Sequence, residues 1–336
     1  MFGPPPPAAF DPSQLVRGSD LRRMGIEPAR AGWVGVRRGF WIRQVDFDSL
    51  TPLQRHAALV HAANRAITSA VEPVFCGPSA AALLTLPRIG PWPNAVRLLA
   101  DPSQTDMRRQ RGGSGPASRR SGACPTCWLI HDIRCTPPAR TVIDLARFDS
   151  LENALVAADH VLRHQLCDPD ALTAEAAGLA AGQPGRRPAL LTAKLANGLA
   201  HSPGESVSRL QMFRLNLPKP ELQVPFNDAD GLIGYVDFLW RRRGKRPLVG
   251  EFDGRVKYRL GGLTSQTDIE RTLWEEKRRE DRLRKQADVV RWTWTSAIDA
   301  SRLGRELAAY GITPGAAGMG SWLDGRSAPE VWGVAG

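Results

Sequence analysis

Between residues 201 and 298 the hydrophobic pattern changes period several times. SPGESVSRLQMFRLN (202–216) predicts a helix with a marked start. Ser202 stands at the N-cap, Pro203 at the first helical position and Glu205 three residues after the cap, the arrangement of a capping box. Apolar runs follow at ELQVPF (221–226), LIGYVDFLW (232–240) and PLVGEFDG (247–254), separated by a turn signal at Asp228–Gly231 and the basic run RRRGKR (241–246). Their lengths and flanks predict three strands joined by turns. Helical periodicity then covers Thr267 to Ala287, and VVRWTW (289–294) predicts a fourth strand. The order α-β-β-β-α-β implies a small α/β sheet with helices packed on it.

The preceding two hundred residues are organised differently. Residues 1–12, with four consecutive prolines, predict a disordered leader. Residues 13–50 predict a small basic unit in which Ser19 caps a short helix through Met24, Gly25 ends it and VGVRRGFWIR (34–43) alternates as a β-ribbon. Within 51–200 the pattern predicts helices at about 52–70 and Pro78–Leu84 and a strand at AVRLLA (95–100). A basic, Gly/Ser-rich loop follows at 101–123, carrying Arg108, Arg109, Arg111, Arg119 and Arg120. CWLIHDIRC (127–135) reads as one strand, and a single helical stretch runs from ARTVIDLARF to about residue 166. Two more helices are expected in 168–200, broken at Gly182–Gly185, and 299–336 reads as a C-terminal tail. No repeat is visible, and no apolar run reaches the 18 or so residues of a membrane helix.

Charge narrows the function classes. Lys and Arg number 45 against 34 Asp and Glu, a formal charge of +11, which favours a polyanionic partner, nucleic acid foremost. Only six of the 45 are Lys, the bias of a GC-rich genome that writes Arg by default, so each Lys is an informative choice. Five cysteines in a chain of this length do not form a disulfide framework, and the expected compartment is the reducing cytoplasm.

The chemistry concentrates in the last sheet. Strand alternation puts Glu251 and Asp253 on one face, and a neighbouring strand can bring Asp237 to it. Clustered carboxylates repel unless solvated or bridged by cations, and hard oxygens suit Mg²⁺. Asp253-Gly254 is equally a turn signal, so spacing alone leaves the matter open. Four of the six lysines, Lys245, Lys257, Lys277 and Lys285, fall within 234–296. Lys277 continues the series Ile269, Leu273 on the helix face expected to meet the sheet, either as the partner of the carboxylates or as a snorkelling edge residue. Cys124 and Cys127, with His131 and Cys135, have metal-like spacing, but along one strand they spread too far for a single zinc.

Five ordered motifs carry a family resemblance over residues 201–297: Glu205-Ser-Val-Ser-Arg, Tyr-Val-Asp237-Phe, Val-Gly-Glu251-Phe-Asp253-Gly-Arg-Val-Lys257-Tyr, Glu-Glu-Lys277-Arg-Arg-Glu-Asp281 and Val-Val-Arg-Trp. They resemble actinobacterial proteins with a Vsr-like endonuclease domain, within the PD-(D/E)XK or restriction-endonuclease-like superfamily. The resemblance implies that fold, with Asp237 and Glu251 as signature acids and metal ligands and Glu205 as the helix-borne glutamate, a role that competes with its capping. Asp253 stands where the signature has Lys, as is typical of Vsr-like domains, and adds a third metal ligand. The lysine role then falls to Lys277 or Lys257. More faintly, VRRGFWI, FCGPSAAALLTLP and CTPPARTVIDLAR resemble AbiEi-type antitoxins, transcriptional autoregulators whose first unit is a winged helix followed by an α/β linking region. Only the eight residues IEPARAGW (26–33) separate Gly25 from the ribbon, so a full recognition helix barely fits and the unit is expected to be degenerate.

The expected function is a Mg²⁺-dependent DNA endonuclease or nickase. Arg241, Arg242, Arg243 and Lys245 would position the DNA backbone, and Arg37 and Arg38 would touch phosphates. The alternative is a non-catalytic DNA-binding regulator with an inactive nuclease-like domain, paired with a toxin or with a second copy of itself.

Overall fold

The computed structural model describes residues 9–30, 32–68, 72–100, 118–121, 126–254, 266–315 and 320–323. The fold is α/β in class, and the chain divides into two compact units, Met1–Ala196 and Asn197–Gly336.

In the first unit β1 (Val16–Arg17), β2 (Trp33–Arg37) and β3 (Phe40–Arg43) form an antiparallel sheet in the order β1-β3-β2, so the alternating ribbon is a hairpin. Its turn needs Gly39, whose φ is +87°. α1 (Gly18–Arg23) begins before the expected cap: Ser19 lies inside it, and Arg17 holds the N-cap position without a side-chain bond. Only a 3-10 turn, Pro28–Arg30, stands between α1 and β2, so no helix of recognition length is found there. α2 (Gln44–Ser49) leads to α3 (Pro52–Ala66), which Thr51 and Gln54 open with a complete capping box. Phe10, at the end of the expected leader, is buried with Leu15, Phe40 and Ile42 against Ala57, Ala58 and Ala62 of α3. That shared core replaces the boundary expected at residue 50.

After α4 (Gly77–Leu83) and β4 (Arg97–Ala100), β5 (Ser118–Ser121) pairs in parallel with β4, so part of the expected basic loop is a strand. Arg108, Arg109 and Arg111 lie outside the described residues. CWLIHDIRC is not one strand. β6 (Trp128–Ile130) and β7 (Ile133–Cys135) make a two-residue hairpin, with His131 and Asp132 at φ +46° and +62°. Cys127, His131 and Cys135 are therefore not spread along a single strand, and Cys124 lies outside the described residues. The long helix is also two, α5 (Pro138–Phe148) and α6 (Leu151–Arg163), because the Ser150 hydroxyl accepts from the Asn153 N–H and starts a new one. α7 (Pro169–Ala177) and α8 (Arg186–Leu195) flank the predicted break, where Gly182 and Gly185 take positive φ. Together these helices bury Val142, Ile143, Ala158, Val161 and Leu172 in one core.

The second unit follows the predicted order: α9 (Pro203–Arg214), β8 (Glu221–Asp228), β9 (Gly231–Trp240), β10 (Leu248–Phe252), α10 (Gln266–Gln286) and β11 (Asp288–Trp292). The sheet runs β11-β10-β9-β8. β8, β9 and β10 are antiparallel neighbours, and β11 lies parallel to β10 after the α10 crossover. Alternation divides the core. Phe238, Trp240 and Trp292 cluster on the face where the Trp292 indole donates to the Ser208 hydroxyl of α9 at 2.7 Å. Leu239, Val249 and Val289 pack with Leu283 and Ala287 of α10 on the other. Trp294 starts α11 (Trp294–Ala297) rather than ending the strand. The expected tail is packed as far as it is described. α12 (Ala300–Ala308) buries Leu303 and Leu307, and Trp322 of α13 (Gly320–Leu323) donates to the Leu217 carbonyl at 2.8 Å.

Gly250 lies opposite Phe238, and a Cβ there would come within 2.7 Å of the Trp292 ring and 2.9 Å of the Trp240 ring. Overpacking against rigid rings costs about 1–3 kcal/mol. Gly250→Ala is expected to lower the urea midpoint by a corresponding amount when unfolding is followed by circular dichroism. An unchanged midpoint contradicts this packing.

Candidate active site

β9 and β10 pair at Leu248–Trp240, Val249–Leu239 and Gly250–Phe238, and then part. β10 stays with β11 as far as Phe252–Trp292. Where the strands diverge, a side chain replaces the ladder: the Phe252 backbone N–H donates to Asp237 Oδ2 at 2.9 Å. The divergence opens a cleft of about 760 Å³. Glu205, Asp237, Glu251 and Asp253 all line it, so four of the expected acids meet in one place.

Each acid is held differently. Glu205, in the first turn of α9, accepts from the His201 N–H at 2.8 Å and from the Ser202 hydroxyl at 2.7 Å, so helix capping and the cleft share one side chain. The Gln223 amide donates to Glu205 Oε2 at 3.1 Å and Asp237 Oδ1 at 3.2 Å, holding two carboxylates on one nitrogen. Gln223 reaches them from a backbone φ of +50°, a strained conformation for a non-glycine residue, of the sort that gathers at functional sites. Glu251 is buried, and each of its oxygens faces one guanidinium: Arg279 Nη2 and Arg291 Nη2, each at 2.9 Å. Asp253 continues the edge, its N–H donating to the Trp292 carbonyl at 2.8 Å. Burial, with Glu205 and Glu251 alongside, pushes the Asp237 carboxyl up to about 6, against the hydrogen bonds from Phe252 and Gln223 that favour its charged form.

The cations are not the expected ones. Lys277 is exposed and does not line the cleft. It lies six residues before Leu283, about 120° around the helix from the stripe that meets the sheet. Each four-residue step in the series Ile269, Leu273, Lys277 overshoots a full turn by about 40°. Lys257 lies outside the described residues. Arg279 and Arg291 occupy the place instead, two guanidinium groups that nothing singles out among the 45 basic residues of an arginine-rich chain.

The basic turn is a second correction. It joins β9 to the start of β10, whereas the cleft lies at the other end of β10, and none of Arg241, Arg242, Arg243 and Lys245 lines it. Arg242 is buried and structural, donating to the Arg246 carbonyl at 2.7 Å and the Tyr310 carbonyl at 2.9 Å and pairing with Asp288. Arg241 is exposed and bonded to Glu221 at 2.7 Å, while Arg243 and Lys245 are exposed in the turn. In the first unit Arg38 is exposed at the hairpin turn and Arg37 is half-buried.

Over 108 residues the chain is 37% identical to two uncharacterized proteins of Mycobacterium tuberculosis, one each from strains CDC 1551 / Oshkosh and ATCC 25618 / H37Rv. The match covers 31% of this chain and 38% of each relative, so it spans well under two thirds of their length. No family model matches the chain, and no solved structure does.

Among the described residues no three His, Cys, Asp or Glu side chains already form a group that could hold a metal ion. Mg²⁺ asks for less: one or two carboxylates, with waters and substrate phosphate filling its shell. Asp237 and Glu251 offer that donor set, and the raised Asp237 pKa marks crowded negative charge that a cation relieves. The residues present fit a hard divalent ion.

The Asp237 shift has a signed consequence. Its folded pKa, about 6, lies above the ordinary 3.8, so the folded state keeps a proton that the unfolded chain releases. Its contribution to stability is full below 3.8 and is lost as pH rises through about 6. Urea unfolding across that window is expected to show wild type losing stability relative to Asp237→Asn as pH rises. Parallel pH profiles contradict the assignment.

Proposed function

We propose that the second unit is a Mg²⁺-dependent DNA endonuclease or nickase acting in the cytoplasm. The convergence of Asp237, Glu251, Glu205 and Asp253 on one cleft carries this reading. Asp237 and Glu251 hold the ion, Asp253 orients water at the rim, and Glu205 with Gln223 fixes the Asp237 carboxylate. When bound, Mg²⁺ supplies a lowered water pKa and charge neutralisation at the phosphate. The chain's +11 charge suits a polyanionic substrate; Arg243 and Lys245 are exposed in the turn before β10, and Arg38 is exposed in the first unit. Restriction-endonuclease-like relationship and AbiEi-like ancestry of the first unit belong to the same proposal.

One observation favours a second reading. Arg279 and Arg291 neutralise Glu251, as in a domain that binds nucleic acid without cutting it. Such a regulator, with a toxin partner or as a homodimer, would bind a single operator independently of metal.

Supercoiled plasmid in Mg²⁺ separates the two. Wild type is expected to nick or linearise it. Glu251→Gln is expected to abolish cleavage while keeping DNA affinity. Cleavage by Glu251→Gln at the wild-type rate contradicts the nuclease reading. Metal-independent operator binding without cleavage supports the regulator.

A further inference from the structure

Glu251 poses a physical problem for any role in holding a cation. Both of its oxygens are taken by guanidinium groups, from Arg279 on α10 and from Arg291, its register partner on β11. Neither arginine is sealed away: their side chains are 30% and 26% exposed, and both line the cleft. Arg291 also lies 3.7 Å from Glu276 and 3.4 Å from Glu280, and its Nε and Nη2 are both buried with no hydrogen-bond partner among the described residues, so its contact with Glu251 is an ion pair without a hydrogen bond. Arg279 is steadied independently of Glu251, donating to the Tyr235 carbonyl at 2.9 Å. Two planar forks beside a carboxylate cluster, one with an unused donor, match the geometry of a tetrahedral phosphate.

We propose that Arg279 and Arg291 are the groups that hold the scissile phosphate, and that in the free protein they are parked on Glu251 as a stand-in for that anion. This inference rests on the nuclease reading and deepens it. Phosphate entry gives the arginines a new partner, and Glu251, released from at least one of them, becomes able to serve a cation. Until the polyanion arrives, the two ion pairs weaken metal binding at the cleft without abolishing it. The work expected of a lysine is done by these two arginines.

The test uses Arg279→Gln in the full chain, with Mn²⁺ affinity read by calorimetry in the absence of nucleic acid and plasmid cleavage read at saturating metal. The two readouts are expected to move in opposite directions. Mn²⁺ affinity rises by up to about fivefold, the scale of a partly exposed ion pair. Cleavage falls on the order of 10²-fold, as on losing one transition-state donor. A residue with only a structural role would not tighten metal binding. Arg279→Lys, which keeps charge but loses the fork, is expected to fall between the two, and it carries the test if the glutamine variant fails to fold. Unchanged or weaker Mn²⁺ binding with wild-type cleavage overturns the inference. If Asp237→Asn/Glu251→Gln binds Mn²⁺ as well as wild type does, the nuclease reading itself fails. Metal binding lost in that double variant but indifferent to Arg279 removes only the arginine proposal.

Discussion

One hydrogen bond organises the second unit's cleft. The Phe252 N–H, at the point where β10 leaves β9, goes to the Asp237 carboxylate instead of to a backbone carbonyl of that strand. If β9 and β10 remained paired to their ends, Asp237 and Glu251 would face each other across a closed ladder. Because they part after Gly250, space opens between them, and a charged side chain satisfies the freed donor. Gln223 then ties Asp237 to Glu205 on α9, so three elements are referred to one carboxylate. The cost is visible in the raised Asp237 pKa and in the unusual backbone of Gln223.

The surrounding packing keeps the divergence in place. Trp240, Trp292 and Phe238 fill the α9 face so tightly that only glycine fits at position 250, immediately before the strands separate. A similar constraint acts at Gly204, where a Cβ would collide with the Phe252 ring, so the first turn of α9 sits directly against β10. That closeness brings Glu205 near enough to share an amide with Asp237. Cleft and core are one construction: the residues that exclude water on one face set the separation of the acids on the other.

Much of this was legible in the amino-acid order. Apolar runs bounded by turn signals located all four strands of the second unit, and the Ser202–Glu205 spacing placed the start of α9 to the residue. Alternation pointed to a shared face for Glu251 and Asp253, and the neighbouring strand brings Asp237 to the same cleft. The errors have physical causes. The His131-Asp132 turn carries no glycine or asparagine, so the β6–β7 hairpin was hidden. Lys277 was placed by four-residue steps that drift around a helix, and the stripe that meets the sheet belongs to Glu276, Arg279, Leu283 and Ala287. Arg242 looked like part of a solvated run, but its guanidinium caps carbonyls from two segments of the unit. Gln223 had no signal at all, since its place depends on a backbone conformation that pattern does not reveal.

The central claim is that Asp237 and Glu251 together hold a divalent cation. Crystals soaked in Mn²⁺ and measured for anomalous scattering test it most directly. A peak is expected within coordination distance of both carboxylates, accompanied by movement of at least one guanidinium away from Glu251. A difference map with no peak in the cleft, at Mn²⁺ concentrations that support cleavage, would contradict it.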